Sequence, residues 1–163
     1  MNFNEEGLNL EKKYFVLRAM ICLGKTQEVL DEISKSSTKT AELSAIEILA
    51  QFFASPENRS SAVQAISSLL NEELCNTPLV RIIACTIYNN VNDYEHAYLV
   101  VKNADNIEEL SVLAYTLVRM NREDKAAEVY NRMCKIDEDH VLTQLVKTWM
   151  NSNGVVPRRE AHT

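Results

Sequence analysis

Residues 107–139 constrain the fold more than any other stretch of the chain. Apolar residues stand at Leu110, Leu113, Ala114, Leu117 and Val118, then at Ala126, Ala127, Val129, Tyr130, Met133 and Ile136. Both sets recur every three or four positions, the period of a helix buried along one stripe. A turn of about two residues separates them, so the pattern predicts two helices folded back on each other. Asn121 is expected to cap the second helix, with Asp124 as an anionic partner in its first turn. A hairpin this small cannot bury both stripes by itself. It needs a similar hairpin on either side, which is the condition for a repeat array.

Such neighbours are present. Ala126 is taken as the small residue where two helices approach closely. Val29, Ala62 and Ala97 hold the same place earlier in the chain, and the steps between successive anchors are 33, 35 and 29 residues. These lie close to the roughly 34-residue tetratricopeptide period. An apolar residue follows each anchor by one turn: Ile33, Ile66, Val101 and Tyr130. Only three glycines and three prolines occur in 163 residues, which favours long uninterrupted helices, and alternating β-branched runs are absent. The expectation is an all-α, tetratricopeptide-like α-solenoid of about four helical hairpins plus one extra helix. The array occupies residues 10–152, between an N-terminal lead at 1–9 and a disordered tail at 153–163.

The first helix is expected over 10–23, with Tyr14, Val16, Leu17, Met20 and Ile21 as its apolar positions and Gly24 as its stop. The next three are expected over 26–34, 43–54 and 60–74. Thr77 followed by Pro78 reads as an N-cap and first helical position for a fifth helix reaching about residue 89. A sixth follows over 93–103, and Asn106 with Glu109 forms a capping signature for the seventh. Asp137-Glu138-Asp139 is expected to open a ninth helix, whose apolar positions are Val141, Leu142, Leu145, Val146 and Trp149.

Charge and motifs narrow the function. The net charge is −6 with both signs interspersed, which disfavours nucleic acid, since phosphate binding needs a basic face. No apolar run of 18 residues is present to span a membrane, and the acidic start has no signal-peptide core. Cys22, Cys75, Cys85 and Cys134 form no C-x-x-C pair and read as small buried hydrophobes in a reducing compartment. The glycines are too dispersed for a phosphate-binding loop, and no G-x-S-x-G elbow occurs. His96, His140 and His162 fall at unrelated places, and Asp137-Glu138-Asp139 lacks the remainder of a calcium loop. The reading is a non-enzymatic binding module with no catalytic residue, cofactor or metal. Its inner face is formed by the first helix of each pair. Numbered from the anchors, that face includes Tyr14, Arg18, Glu47 and Gln51, and continues through Thr86, Asn89, Tyr115 and Arg119. Tyrosine and arginine are frequent interface anchors, while Tyr14 and Tyr115 read equally well as core residues of an irregular repeat.

Two stretches carry a family resemblance. The first is Val29-Leu30-Asp31-Glu32-Ile33 with Ser36-Ser37 and Glu42-Leu43-Ser44-Ala45. The second and more specific is Ile136-Asp137-Glu138-Asp139-His140-Val141-Leu142-Thr143-Gln144-Leu145 with Trp149. Over roughly residues 14–150 the chain resembles the epsilon subunit of the COPI vesicle coat (coatomer), epsilon-COP. The resemblance implies a solenoid curling around the carboxyl-terminal region of alpha-COP, alongside other coatomer subunits. It implies a structural role in Golgi-to-endoplasmic-reticulum retrograde and intra-Golgi transport. The protein would then be cytoplasmic, peripheral to Golgi membranes and COPI vesicles on the cytosolic side, and attached only through the coat.

Family members carry an extra repeat before this chain starts and several after Trp149, and residues 155–163 match nothing expected of them. The chain is therefore expected to be about half of a member: a fragment, a splice form or a truncated gene model. If the curl needs the missing repeats, alpha-COP binding is lost. The ninth helix would then expose Leu142, Leu145 and Trp149, which are expected to bury themselves by self-association or by folding back. The alternative within the same architecture is a cytosolic tetratricopeptide adaptor for another partner, such as a chaperone tail. That function wants a basic cluster to clamp a carboxylate, and only Arg18, Arg81 and Arg119 are available.

Overall fold

The computed structural model describes residues 3–154, with side chains from Glu6 onward; the tail expected beyond Gly154 lies outside the described residues. Nine α-helices and no strand occur among the described residues. They are α1 (Phe3–Cys22), α2 (Thr26–Lys35), α3 (Ala41–Ala54), α4 (Arg59–Asn71), α5 (Pro78–Asn90), α6 (Tyr94–Val101), α7 (Ile107–Arg119), α8 (Glu123–Asp137) and α9 (Val141–Ser152). The all-α repeat expected from the periodicity is the architecture found. Most of the segment expected as an N-terminal lead is instead the opening of α1. No proline interrupts it, and an acidic residue such as Glu6 suits the positive end of a helix dipole.

The repeat is written most plainly in its turns. Between α1 and α2, Gly24 takes a left-handed backbone with φ +79°; between α5 and α6, Asn92 does so at +60°; between α7 and α8, Asn121 does so at +57°. In each turn the next residue's N–H reaches back five positions: Lys25 to the Met20 carbonyl, Asp93 to Tyr88 and Arg122 to Leu117, all at 2.9 Å. The left-handed residue itself bonds three positions back, to Ile21, Asn89 and Val118 at 3.0–3.1 Å. This pair of bonds is the Schellman closure of a helix, which needs a residue tolerant of positive φ. Four residues further on stand Val29, Ala97 and Ala126, whose N–H groups bond the carbonyls of Lys25, Asp93 and Arg122 at 3.2, 3.1 and 2.9 Å. These are three of the four anchors chosen from periodicity. All four anchors are buried, at 0–3 % exposure.

Asn121 is thus a turn residue and not the cap of α8: Arg122 holds the cap position and makes no side-chain capping bond. The αL conformation demanded by the Schellman closure overrides the capping preference. Elsewhere the caps fall where local chemistry puts them. Asp93 accepts from the His96 N–H at 3.2 Å, and Asn106 accepts from the Glu109 N–H at 2.9 Å. The α3–α4 turn is of another kind. Ser55 lies extended before Pro56, accepts from the Glu57 N–H at 3.3 Å, and leads through a single 3-10 turn, Pro56–Asn58.

The chain divides into two compact units, Met1–Ile87 and Tyr88–Thr163. In the first, α1 packs on α2 and on α3, α2 packs on α3, and α3 packs on α4. Its core holds Leu17, Val29, Ile46, Phe52 and Ile66, none more than 3 % exposed. Each such side chain contributes about 1.5–3 kcal/mol by leaving water. In the second, α6 packs on α7, α7 on α8 and on α9, and α8 on α9. Each unit therefore repeats one rule: a pair's first helix meets its own partner and the first helix of the following pair. In the second unit the Arg132 Nη2 donates to the Ala104 carbonyl at 2.7 Å, tying α8 to the loop before α7.

Several local expectations are corrected. Helix α4 stops at Asn71 because Glu72 turns extended, and Leu74, expected within it, is 94 % exposed. Val16 and Val141, expected inward, are 53 % and 74 % exposed. The Thr77 hydroxyl is buried without a hydrogen-bond partner, so it caps nothing; only its carbonyl serves α5, accepting from the Arg81 N–H at 3.0 Å. Asp137 ends α8 and the next two residues form the connection, while His140 caps α9 by accepting from the Leu142 N–H at 3.1 Å. Buried Thr143 donates to the Asp137 carbonyl at 2.8 Å, which satisfies the end of α8. All four cysteines are free thiols, yet only Cys85 is buried and Cys22 is exposed.

Candidate functional site

The side chains expected on the inner face come from α1, α3 and α5 in the first unit. Tyr14 is half-buried, and its hydroxyl lies 2.9 Å from Thr40 Oγ1, the same atom that accepts from the Leu43 N–H to cap α3. Tyr14 therefore secures the α2–α3 loop, and Lys13 helps by donating to Ser36 Oγ at 3.4 Å. Glu47 is exposed beside a polar cavity of about 240 Å³ that Ser34, Ser36 and Lys39 also line. Gln51 is exposed, and its carbonyl accepts from the Asn58 amide at 3.2 Å.

Arg18 and Thr86 are brought together. Both line a groove of about 630 Å³ against the carboxyl-terminal halves of α1 and α3 and the middle of α5. Its walls are Ile21, Leu49, Phe53, Ile82 and Ile83, and its polar edge carries Cys22 and Thr26. Among the described residues, Arg18 is the one charged side chain lining it. None of the wall residues was expected as part of a binding face, although one signal was available. Phe52 and Phe53 are adjacent, and successive helical residues point about 100° apart. Phe52 is buried at 1 % exposure, which leaves Phe53 outward at 45 %, with the two rings edge to face at 5.2 Å.

In the second unit Asn89 is half-buried and its amide donates to Thr116 Oγ1 at 3.0 Å, joining α5 to α7. Tyr115 packs edge to face on Trp149, with ring centres 5.1 Å apart, so these two aromatics join α7 to α9. Arg119 is exposed and donates to the Tyr94 hydroxyl through Nη2 at 2.7 Å and Nε at 3.2 Å, while that hydroxyl donates to Asn92 Oδ1 at 2.8 Å. Accepting these bonds, the phenol oxygen holds the guanidinium above its ordinary pKa. Tyr94 was not anticipated, because only the fold brings positions 94 and 119 together. Of the residues expected to drive self-association, Leu142 and Trp149 are half-buried and Leu145 is 39 % exposed.

These groups build surfaces and staples. The described residues include no set of three or more His, Cys, Asp or Glu side chains that could hold a metal. His96 is exposed as expected; its Nδ1 lies 2.8 Å from Asp93 Oδ2, and its ring stacks on Tyr88 at 5.5 Å. At Cys75 a hydrogen bond with the Glu72 carboxylate at 3.4 Å pushes the thiol pKa up, the opposite of activation.

Comparison with known proteins gives a consistent outcome. The coatomer epsilon subunit family matches residues 1–158. Coatomer subunit epsilon-1 of Arabidopsis thaliana is 32% identical over 151 residues, which are 92% of this chain and 51% of that protein. Coatomer subunit epsilon of Dictyostelium discoideum is 30% identical over 152 residues, covering 90% of this chain and 51% of the relative. The Caenorhabditis elegans coatomer subunit epsilon is 26% identical over 151 residues, 93% and 51% of the two chains. The chain spans about half the length of the curated relatives it matches.

Proposed function

The chain belongs to the coatomer epsilon subunit family, and from that premise we propose that it is a structural coat subunit whose first-of-pair helices dock alpha-COP. Members of this family are structural coat components and not enzymes. The match over residues 1–158 carries the reading. The recurring Schellman turns support it, since identical closures stack like hairpins into an array. We take residues 10–152 as one such α-solenoid. On this reading the protein associates with other coatomer subunits and acts in Golgi-to-endoplasmic-reticulum and intra-Golgi transport. It sits on the cytosolic side of Golgi membranes and COPI vesicles, reaching the membrane through the coat. No described helix is long and apolar enough to cross a membrane.

The docking residues are Arg18, Glu47, Gln51, Thr86, Asn89 and Arg119. Tyr14 and Tyr115 support the face from behind, given their contacts with Thr40 and Trp149. Leu142, Leu145 and Trp149 are the residues for contact with a second copy. A chaperone-tail clamp is less well supported, because Arg119 already serves Tyr94.

Titration calorimetry of the chain with a carboxyl-terminal fragment of alpha-COP and with a chaperone tail peptide tests the reading. Saturable heat with the alpha-COP fragment alone is expected. Binding of the chaperone tail alone overturns it.

A further inference from the structure

We propose that the outer face of α1 is a dimer seam, on which two copies of this chain pack α1 against α1, antiparallel, about a two-fold axis between Phe15 and Val16. The helix is apolar on two sides. Leu17 and Ile21 are buried on the side that packs on α2 and α3. On the other side Leu8, Phe15, Val16 and Leu23 are 53, 70, 53 and 73 % exposed, with exposed Ala19 and Cys22 among them. A helix that is apolar all round is one that is buried all round. The second stripe therefore calls for a partner.

The order of residues along the stripe selects that partner. Positions 8, 12, 15, 16, 19 and 23 share one helical face and are symmetric about the point midway between 15 and 16. A two-fold axis there sets Leu8 of each copy beside Leu23 of the other, and Lys12 beside Ala19, with Phe15 and Val16 at the centre. This is the reciprocal pairing that an isologous interface requires. Lys12, the one charged residue of the six, meets the smallest, so its stem lies over Ala19 while the ammonium reaches water. Charge agrees at the ends. Exposed Glu6 and exposed Lys25 exchange about the same centre, which brings each copy's acidic end to the other's basic one. The stripe is about 22 Å long at the helical rise. With four large side chains more than half exposed, it offers on the order of 500 Å² per copy, so a pair buries about 1,000 Å², the lower bound for a specific interface. A lipid surface fits worse, because an interfacial helix needs a basic polar face in water, whereas the far side of α1 packs on α2 and α3. The seam goes beyond the docking reading above and uses a different helix from the contact at α9.

Sedimentation velocity of the full chain across about 1–200 μM, a span suited to a small interface, should show a reversible monomer–dimer equilibrium. Phe15→Asp sets two carboxylates beside the axis and should weaken the dimer at least about tenfold. Helix content by circular dichroism should be unchanged, since Phe15 is 70 % exposed. Disulfide trapping in Leu8→Cys reads the direction. Position 8 and Cys22 lie about 21 Å apart along one helix, too far to bridge within a chain. Antiparallel packing brings position 8 of one copy to Cys22 of the other, and peptide mass mapping should find that bridge. Bridges joining 8 to 8 and 22 to 22 mean a parallel pair and overturn the proposal, as does a chain that stays monomeric throughout. A dimer indifferent to Phe15→Asp and lost in Leu145→Asp belongs to α9 and overturns it too. Titrating Phe15→Asp with the alpha-COP fragment separates the seam from the docking reading. Undiminished fragment binding beside a weakened dimer supports the seam and leaves docking standing. Fragment binding lost in Phe15→Asp, when the unaltered chain never dimerises, gives this face to alpha-COP and overturns the seam. Absence of fragment binding by the unaltered chain removes the docking reading, while sedimentation still decides the seam.

Discussion

The same chemical change should have opposite effects at two glycines of one unit. Gly7 lies in α1, and a Cβ added there meets nothing within 4 Å. Alanine exceeds glycine in a helix by about 0.5–1 kcal/mol. Gly24 is equally open, with nothing within 4 Å of an added Cβ, so no clash enters the sum. Its φ of +79° does. A left-handed alanine costs about 1–2 kcal/mol, and the reduced entropy of the unfolded chain returns about 0.4–1 kcal/mol. Gly24→Ala should therefore destabilise by about 0.5–1.5 kcal/mol, and Gly7→Ala should stabilise by about 0.5–1 kcal/mol. Urea unfolding followed at 222 nm reads both in one transition, since the two sites share a unit. Midpoints moving apart support the turn assignment. Midpoints moving together in either direction refute it.

Ala126→Trp forces an indole into a position with 0 % exposure and should cost roughly 1–3 kcal/mol or more; an unchanged thermal melt removes Ala126 from the packing seam. Phe52→Ala should cost about 3–5 kcal/mol in urea unfolding, whereas Phe53→Ala should cost about 1 kcal/mol or less, since 45 % of that residue is exposed; equal costs would contradict the assigned faces. The Arg122 guanidinium, 3.4 Å from Asp124, holds that carboxyl below its ordinary pKa near 3.8. Its contribution is thus present above that pKa and lost as pH falls through the depressed one. Asp124→Asn should lower the urea midpoint slightly at pH 7 and leave it unchanged at pH 2, and an equal shift at both would contradict the pairing.

The nine helices among the described residues were legible in the sequence because apolar period, the Gly24 stop and the Asn106 cap are local signals. The anchors were legible for a related reason. A small or β-branched residue one turn into each second helix must be buried wherever hairpins stack, and Val29, Ala62, Ala97 and Ala126 all are. What escaped depends on partners distant in sequence. Tyr14 finds Thr40, and Arg119 finds Tyr94, only once successive helices settle side by side. Asn121 was misassigned because asparagine suits both a cap and a left-handed turn, and only the bond from Arg122 to Leu117 distinguishes them. The groove was half legible. Arg18 and Thr86 followed from the anchor numbering, while the outward turn of Phe53 shows only once Phe52 is seated in the core.

The central claim is that the turns after α1, α5 and α7 are copies of one closure on which the array is built. Amide hydrogen exchange by NMR at Lys25, Asp93 and Arg122 tests it most directly, because these N–H groups make the bonds that reach back five residues. The account predicts that all three exchange at least about tenfold more slowly than unstructured peptide, as hydrogen-bonded amides do. Exchange at the free-peptide rate at any of the three would contradict it.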